Sequence, residues 1–254
     1  MFENSIISLN KPLGWTSFDV VAYSRNKLQI KKIGHCGTLD PLATGLLLLA
    51  TNKATKKIES LQNLSKTYIA TFCLGATTQS FDTEFWPEKF EDTSHINPEQ
   101  IKSIISKNFL GVIEQIPPQY SAISVNGKKA YKSARKGEEI QIPSREVEII
   151  KFDVIELKLI SPDELPYQAS KLVPYQKNPH LVVEQKVLDT QKSFKLVIFK
   201  VQIICSKGTY IRSLIRDLAT HLRTVGYMIS LERTAIGTYL LSDALELKEL
   251  VVSY

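Results

Sequence analysis

Residues 34–45 read Gly-His-Cys-Gly-Thr-Leu-Asp-Pro-Leu-Ala-Thr-Gly and set one carboxylate, Asp40, between a glycine-punctuated loop and the apolar run 46–50. Glycines allow tight turns and let the main chain approach another molecule closely. A carboxylate fixed at such a junction can act as a nucleophile or stabilise developing positive charge. The same residues also describe a helix start, with Asp as N-cap and Pro in the first turn. Taken alone, the segment favours that second reading.

Other reactive groups are sparse. Cys36, Cys73 and Cys205 are odd in number and form no CxxC pair. The histidines (His35, His95, His180 and His221) have no metal-ligand spacing. This implies no disulfide framework, no structural zinc and a reducing, cytoplasmic setting. No apolar run is long enough to cross a bilayer, and the first residues do not read as a signal peptide. The net charge of +6 and pI of about 9.0 suit a polyanionic partner, although charge alone is a weak guide. The placement of arginine says more. Only seven of the 32 basic residues are Arg, and Arg212, Arg216, Arg223 and Arg233 fall within 22 residues. Arg offers a planar fork for phosphate or carboxylate.

The elements that must position these groups can be read from periodicity. Residues 6–9 suggest a strand, followed by a turn at 10–14. A helix from about Thr16 follows, with Thr16 and Asp19 spaced as a capping box. Short helices are expected over 54–61 and 130–135, and a longer one over 98–109. Strands are expected over 66–74, 122–125, 145–160 and 194–205, with Asn126-Gly127 as a hairpin turn. Residues 77–92 read as a polar loop and 161–192 as a long surface insertion. A helix over 209–223 carries the apolar stripe Ile211, Leu214, Ile215, Leu218, Ala219 and Leu222. With no repeat and no change of composition, one mixed α+β domain over residues 1–254 is expected.

Six ordered motifs then coincide. They are 10–17 (Asn-Lys-Pro-Leu-Gly-Trp-Thr-Ser), 34–45, 66–68 (Lys-Thr-Tyr), 117–122 (Pro-Pro-Gln-Tyr-Ser-Ala), 205–212 (Cys-Ser-Lys-Gly-Thr-Tyr-Ile-Arg) and 231–234 (Leu-Glu-Arg-Thr). Together they resemble the TruB family, bacterial tRNA pseudouridine synthases that isomerise uridine 55 in the T-loop. The resemblance runs from about residue 5 to about residue 245, apart from 161–192. It implies a pseudouridine synthase fold, a large and mostly antiparallel mixed sheet flanked by helices. It also implies a monomer acting on the T-arm of tRNA without metal or organic cofactor.

By the same resemblance Asp40 is the catalytic residue, with Arg212 the candidate for its ion pair. Tyr68 stacks on the flipped uracil, Tyr210 lines the pocket, Leu231 closes it, and His35 enters the RNA loop. Lys207, Arg216 and Arg233 could meet phosphates, while Lys11-Pro12 and Pro117-Pro118 shape the walls. Cys36 stands where relatives carry a small or hydroxylated residue. Residues 80–85 match the family only loosely, so Asp82 receives no role. A full C-terminal RNA-binding domain of the PUA type is not expected. Two other readings stay open: a tRNA-binding or tRNA-folding protein without turnover, and a synthase acting on another RNA.

Overall fold

The computed structural model describes residues 2–165 and 194–250. β1 (Ile6–Lys11) leads to α1 (Ser17–Leu28), whose start is closed by the Thr16–Asp19 capping box. β2 (Ile33–His35) and β3 (Ala43–Thr51) follow, then a 3-10 turn (Asn52–Lys57) and α2 (Ile58–Asn63). Next come β4 (Lys66–Leu74), the short strands β5 (Ala76–Thr77) and β6 (Lys89–Phe90), and α3 (Pro98–Asn108). β7 (Gly111–Gln115) precedes the hairpin of β8 (Ser124–Val125) and β9 (Lys128–Lys129), with Asn126-Gly127 at its tip. The described chain continues through α4 (Ala130–Ala134) and β10 (Arg145–Ile160). It resumes with β11 (Leu196–Cys205), α5 (Ile211–His221), β12 (Gly226–Ile236) and β13 (Tyr239–Leu240). The expected insertion at 161–192 lies, from residue 166 onward, outside the described residues.

Hydrogen bonding joins nine strands into one mixed sheet in the order β1-β3-β12-β4-β11-β10-β7, with β2 on β3 and β13 on β12. β3 pairs antiparallel with β1 and β2 but parallel with β12. The α+β class expected from the sequence is what is found. Where the sequence suggests one domain, contacts divide the chain into two compact units. One takes in Met1–Ile69, Ile203–Lys207 and Leu231–Tyr254, and the other Ala70–Gln202 and Gly208–Ser230, as far as their residues are described. β4, β11 and β12 each begin in one unit and end in the other.

The first unit explains why the Asp40 segment does not begin a helix. Leu47 and Leu49 face a core made with Ile7, Leu9, Val20, Val21 and Leu28. Leu46, Leu48 and Ala50 face a second core with Cys36, Ala54, Leu61 and Ile236. A run buried on both faces has no period of its own to read, and sheet partners on either side settle it as a strand. The helix-cap reading of Asp40-Pro41 is thereby overturned. Asp40 instead closes a turn in which the Ala43 amide donates to its carbonyl at 3.0 Å.

The second unit is organised around aromatic rings. Phe72 meets Phe199 and Phe152 edge-on, and Phe109 meets Phe152 and His221 in the same manner. Such contacts add directional preference to ordinary apolar burial.

Candidate active site

Asp40 is half-buried, and both its neighbours in the chain are tied down by the segment 10–17. On one side, the buried Ser17 hydroxyl accepts from the Leu39 amide at 2.9 Å and lies 3.2 Å from the Leu39 carbonyl. On the other, the Pro41 carbonyl accepts from the Gly14 amide at 2.9 Å and from Lys11 Nζ at 3.3 Å. Gly14 holds φ +83°, a conformation that L side chains rarely adopt. Lys11 is fully buried, and its ammonium also donates to the carbonyls of Pro12 and Trp15 at 2.9 and 2.6 Å. Burial pulls its pKa down to about 8, against the attraction of Asp40. Lys11 fastens the carbonyl next to the candidate catalytic residue.

The third restraint comes from Arg233, which is 1% exposed. Its Nε donates to the Leu46 carbonyl at 2.8 Å, and its two terminal nitrogens reach the carbonyls of Thr38 and Gly37 at 3.5 and 3.3 Å. One guanidinium therefore bridges main chain before and after Asp40. Its own main chain lies against Gly45, where an added Cβ would come within 2.4 Å of the Arg233 carbonyl. Gly45 also takes φ +99°, so glycine is required there twice over. The assignment of Arg233 to phosphate is corrected: a side chain so enclosed and so fully bonded serves the loop. Of the other two proposed phosphate contacts, Arg216 already engages Asp217 and the Ile116 carbonyl at 2.7 and 2.8 Å. Lys207 is exposed, with Asn63 at 2.6 Å.

Tyr68 and Leu231 belong to the same unit. Tyr68 is buried on β4, and burial raises the pKa of its phenol above the ordinary value, with Arg233 opposing. It is a neutral phenol at pH 7. Lys66 prepares this strand by donating to the Gln62 and Leu64 carbonyls at the end of α2. Leu231 sits opposite Ala43 in the parallel pairing of β12 with β3. His35 ends β2, its ring half-buried and edge-on to Phe18. Cys36, fully buried, has its thiol pKa pushed up to about 11 and is held as an unreactive thiol.

Tyr210 and Arg212 lie in the other unit, at the start of α5. The buried Gln115 amide clasps the main chain of Tyr210, accepting from its N–H at 2.7 Å and donating to its carbonyl at 3.1 Å. Arg145 stacks its guanidinium 5.1 Å from the Tyr210 ring centroid. Arg212, 3% exposed, forms an ion pair with Asp82 at 3.2 Å. It donates to the carbonyls of Ser80 and Tyr120, both at 3.0 Å. Asp82 in turn accepts from the Ser80 hydroxyl and from the Glu84 amide at 2.9 Å. Sequence reasoning passed over Asp82, Gln115, Gly14 and Ser17. For Asp82 and Gln115 no local signal exists, since their partners stand about a hundred residues away. Ser17 could have been suspected from its place in the 10–17 motif beside a capping box.

The structure thus gathers Asp40, His35, Tyr68 and Leu231 in one unit, with Tyr210 and Arg212 in the other. No group of three or more His, Cys, Asp or Glu placed to hold a metal ion occurs among the described residues.

Comparison with known proteins defines the class as pseudouridylate synthase: the family described as "TruB family pseudouridylate synthase (N terminal domain)" matches residues 25–168. A tRNA pseudouridine synthase B of Bacteroides thetaiotaomicron is 38% identical over 250 residues, covering 96% of this chain and 90% of the relative. The protein of the same name from Chloroherpeton thalassium is 38% identical over 248 residues, covering 95% and 87%. The chain belongs to the TruB family. Among solved structures, the fold is shared with a chain in a crystal structure of a Cbf5-Nop10-Gar1 complex. That match has a TM-score of 0.62 and 24% identity, and covers 98% of this chain and 54% of that one. The present chain spans about half the length of that solved protein.

Proposed function

We propose that this protein isomerises uridine 55 in the T-loop of tRNA to pseudouridine, with Asp40 as the reacting carboxylate. The observation that carries the reading is the cradle: both neighbours of Asp40 and both ends of its loop are fixed by Ser17, Gly14, Lys11 and Arg233. A carboxylate held this way loses little freedom in reaching the transition state. The uridine sits inside a folded loop and must be extruded before it can react. The base leaves through the C1′–N1 bond, turns, and rejoins C1′ through C5. C5 then gives up its proton, and N1 ends protonated.

Asp40 attacks, or stabilises the charge that develops on, the substrate during that exchange. Tyr68, neutral and buried, supplies the ring on which the extruded uracil stacks and a phenol able to donate a proton. Tyr210 lines the pocket and Leu231 closes it. Arg212 is held by Asp82, and His35 enters the RNA loop in place of bases that have left the stack. The protein acts as a monomer in the cytoplasm. No helix among the described residues is long and apolar enough to cross a membrane.

The test uses an unmodified T-arm hairpin and full-length tRNA, with pseudouridine mapped after incubation. Product at the T-loop uridine is expected, and Asp40→Asn is expected to abolish it with RNA binding retained. Binding without product from the wild-type chain would instead mark a tRNA-folding protein. Product elsewhere would mark a synthase of another RNA site.

A further inference from the structure

Phe18 is 71% exposed, the most exposed of the large hydrophobic side chains and the one aromatic ring among those described as exposed. An apolar ring left this far in solvent adds little to the fold, and single exposed hydrophobics are ordinary. What distinguishes Phe18 is how firmly it is held. Thr16 before it and Asp19 after it close the capping box, with the Thr16 and Asp19 amides accepted at 2.8 and 3.0 Å. Its neighbour Ser17 is bonded to both main-chain atoms of Leu39, the residue preceding Asp40. Its ring stands at 88° to the His35 ring with centroids 5.2 Å apart. Burial lowers the pKa of His35 below its ordinary value, so the imidazole facing Phe18 is uncharged at pH 7. Its Nδ1 is enclosed without a well-formed hydrogen bond, the Gly37 backbone being only a weak partner.

We propose that Phe18 and His35 form a right-angled stacking corner that receives an unpaired nucleobase of the RNA loop, other than the reacting uracil on Tyr68. The inference rests on the RNA-substrate reading above. Sequence-tolerant binding of unpaired RNA uses exposed, rigid aromatic faces, because every base offers a π-face. This corner has that character, and it is fastened to the loop that carries the reacting carboxylate. A base stacked on Phe18 is therefore registered against Asp40 through a single residue, Leu39. An aliphatic side chain would offer apolar contact but no such plane.

Phe18→Ala tests the corner, because a ring 71% exposed adds little to the fold and the variant is expected to stay folded by thermal melting. Its KM for the T-arm hairpin is expected to rise, as is the Kd measured with the variant in an Asp40→Asn background. One stacked base predicts a weakening of about fivefold to a hundredfold. Phe18→Trp should restore tight binding and add indole fluorescence that is quenched when the hairpin is added, over the signal of Trp15 and Trp86. Unchanged KM and Kd in Phe18→Ala would overturn the proposal. So would full restoration by Phe18→Leu, which would reduce the contact to apolar cover. The Kd arm does not depend on turnover. A wild-type chain that binds the hairpin but makes no pseudouridine therefore refutes the proposed reaction and leaves the stacking corner to be judged separately.

Discussion

Arg233 and Arg212 are both almost wholly withdrawn from solvent, one in each unit, and they are accommodated in different ways. Arg233 spreads its donors over the carbonyls of Gly37, Thr38 and Leu46. Arg212 also takes two carbonyls, but it adds a buried carboxylate, Asp82. The first arrangement offsets charge with fixed backbone dipoles and so holds a loop in shape. The second builds a charge pair whose partner is a side chain and can be exchanged. A buried arginine can thus act as a scaffold or as an electrostatic device, and the identity of its acceptors decides which.

The sharpest way to break this comparison is to remove each guanidinium. Arg233→Met takes a donor from three carbonyls, at a cost of about 1–3 kcal/mol for each one left buried and unpaired. A loss of roughly 3–6 kcal/mol in denaturant unfolding is expected, with no single second substitution able to restore it. Arg212→Met should cost about 3–5 kcal/mol by stranding the Asp82 carboxylate. Here Arg212→Met combined with Asp82→Asn should recover most of the stability while turnover stays lost. Recovery of turnover in that double variant would show that the pair is scaffold as well, and the distinction would fall.

A smaller effect probes the loop itself. Ser17→Ala removes both contacts to Leu39 and should lower stability by about 1–2 kcal/mol. The fall in kcat should exceed any change in KM, because the variant loosens Asp40 rather than the RNA-binding surface. Equal changes in both would place Ser17 among the binding residues.

The smallest effect is one of pH. The folded chain holds the Lys11 proton less tightly than the unfolded chain, with a pKa of about 8 against an ordinary 10.5. The unfolded state therefore binds more proton between those values, and the stability that depends on this group rises from about pH 8 to about pH 10.5. Lys66 titrates near 8 as well, so the wild-type curve alone does not isolate Lys11. The difference between wild type and Lys11→Met should shift in favour of wild type across that window. A flat difference would mean that the three carbonyl bonds to the ammonium outweigh its burial.

Much of the local structure was legible in the sequence. The Thr16–Asp19 box placed α1, and β4 and β10 fall over the expected residues, because short-range chemistry determines caps and alternation. β12 went unassigned, and Asp40-Pro41 was open to reading as a helix start. Both failures concern buried strands whose pairing partners are remote. Arg233 lies 187 to 196 residues from the carbonyls it serves. It did leave one signal: Leu231, Arg233 and Ala235 alternate on the buried side of β12, with Glu232 exposed between. An arginine on the inward side of a strand needs partners, and phosphate in solvent is not among them. The family motifs selected Asp40, but only the folded chain explains why Lys11, Gly14 and Ser17 matter to it.

The parallel pairing of β3 with β12 sets Leu231 opposite Ala43 and Arg233 opposite Gly45. The turn from Asp40 to Ala43 then leaves no slack between the carboxylate and that ladder. Because side chains alternate along a strand, gaining or losing one residue between Asp40 and Gly45 would slip the start of β3 against β12 and displace Asp40 from the pairing that fixes it. A substitution at an exposed position of this stretch, such as Pro41, should therefore cost less than an insertion or deletion there. Grafting the Asp40 loop into a related scaffold would have to obey the same rule, conserving length before identity.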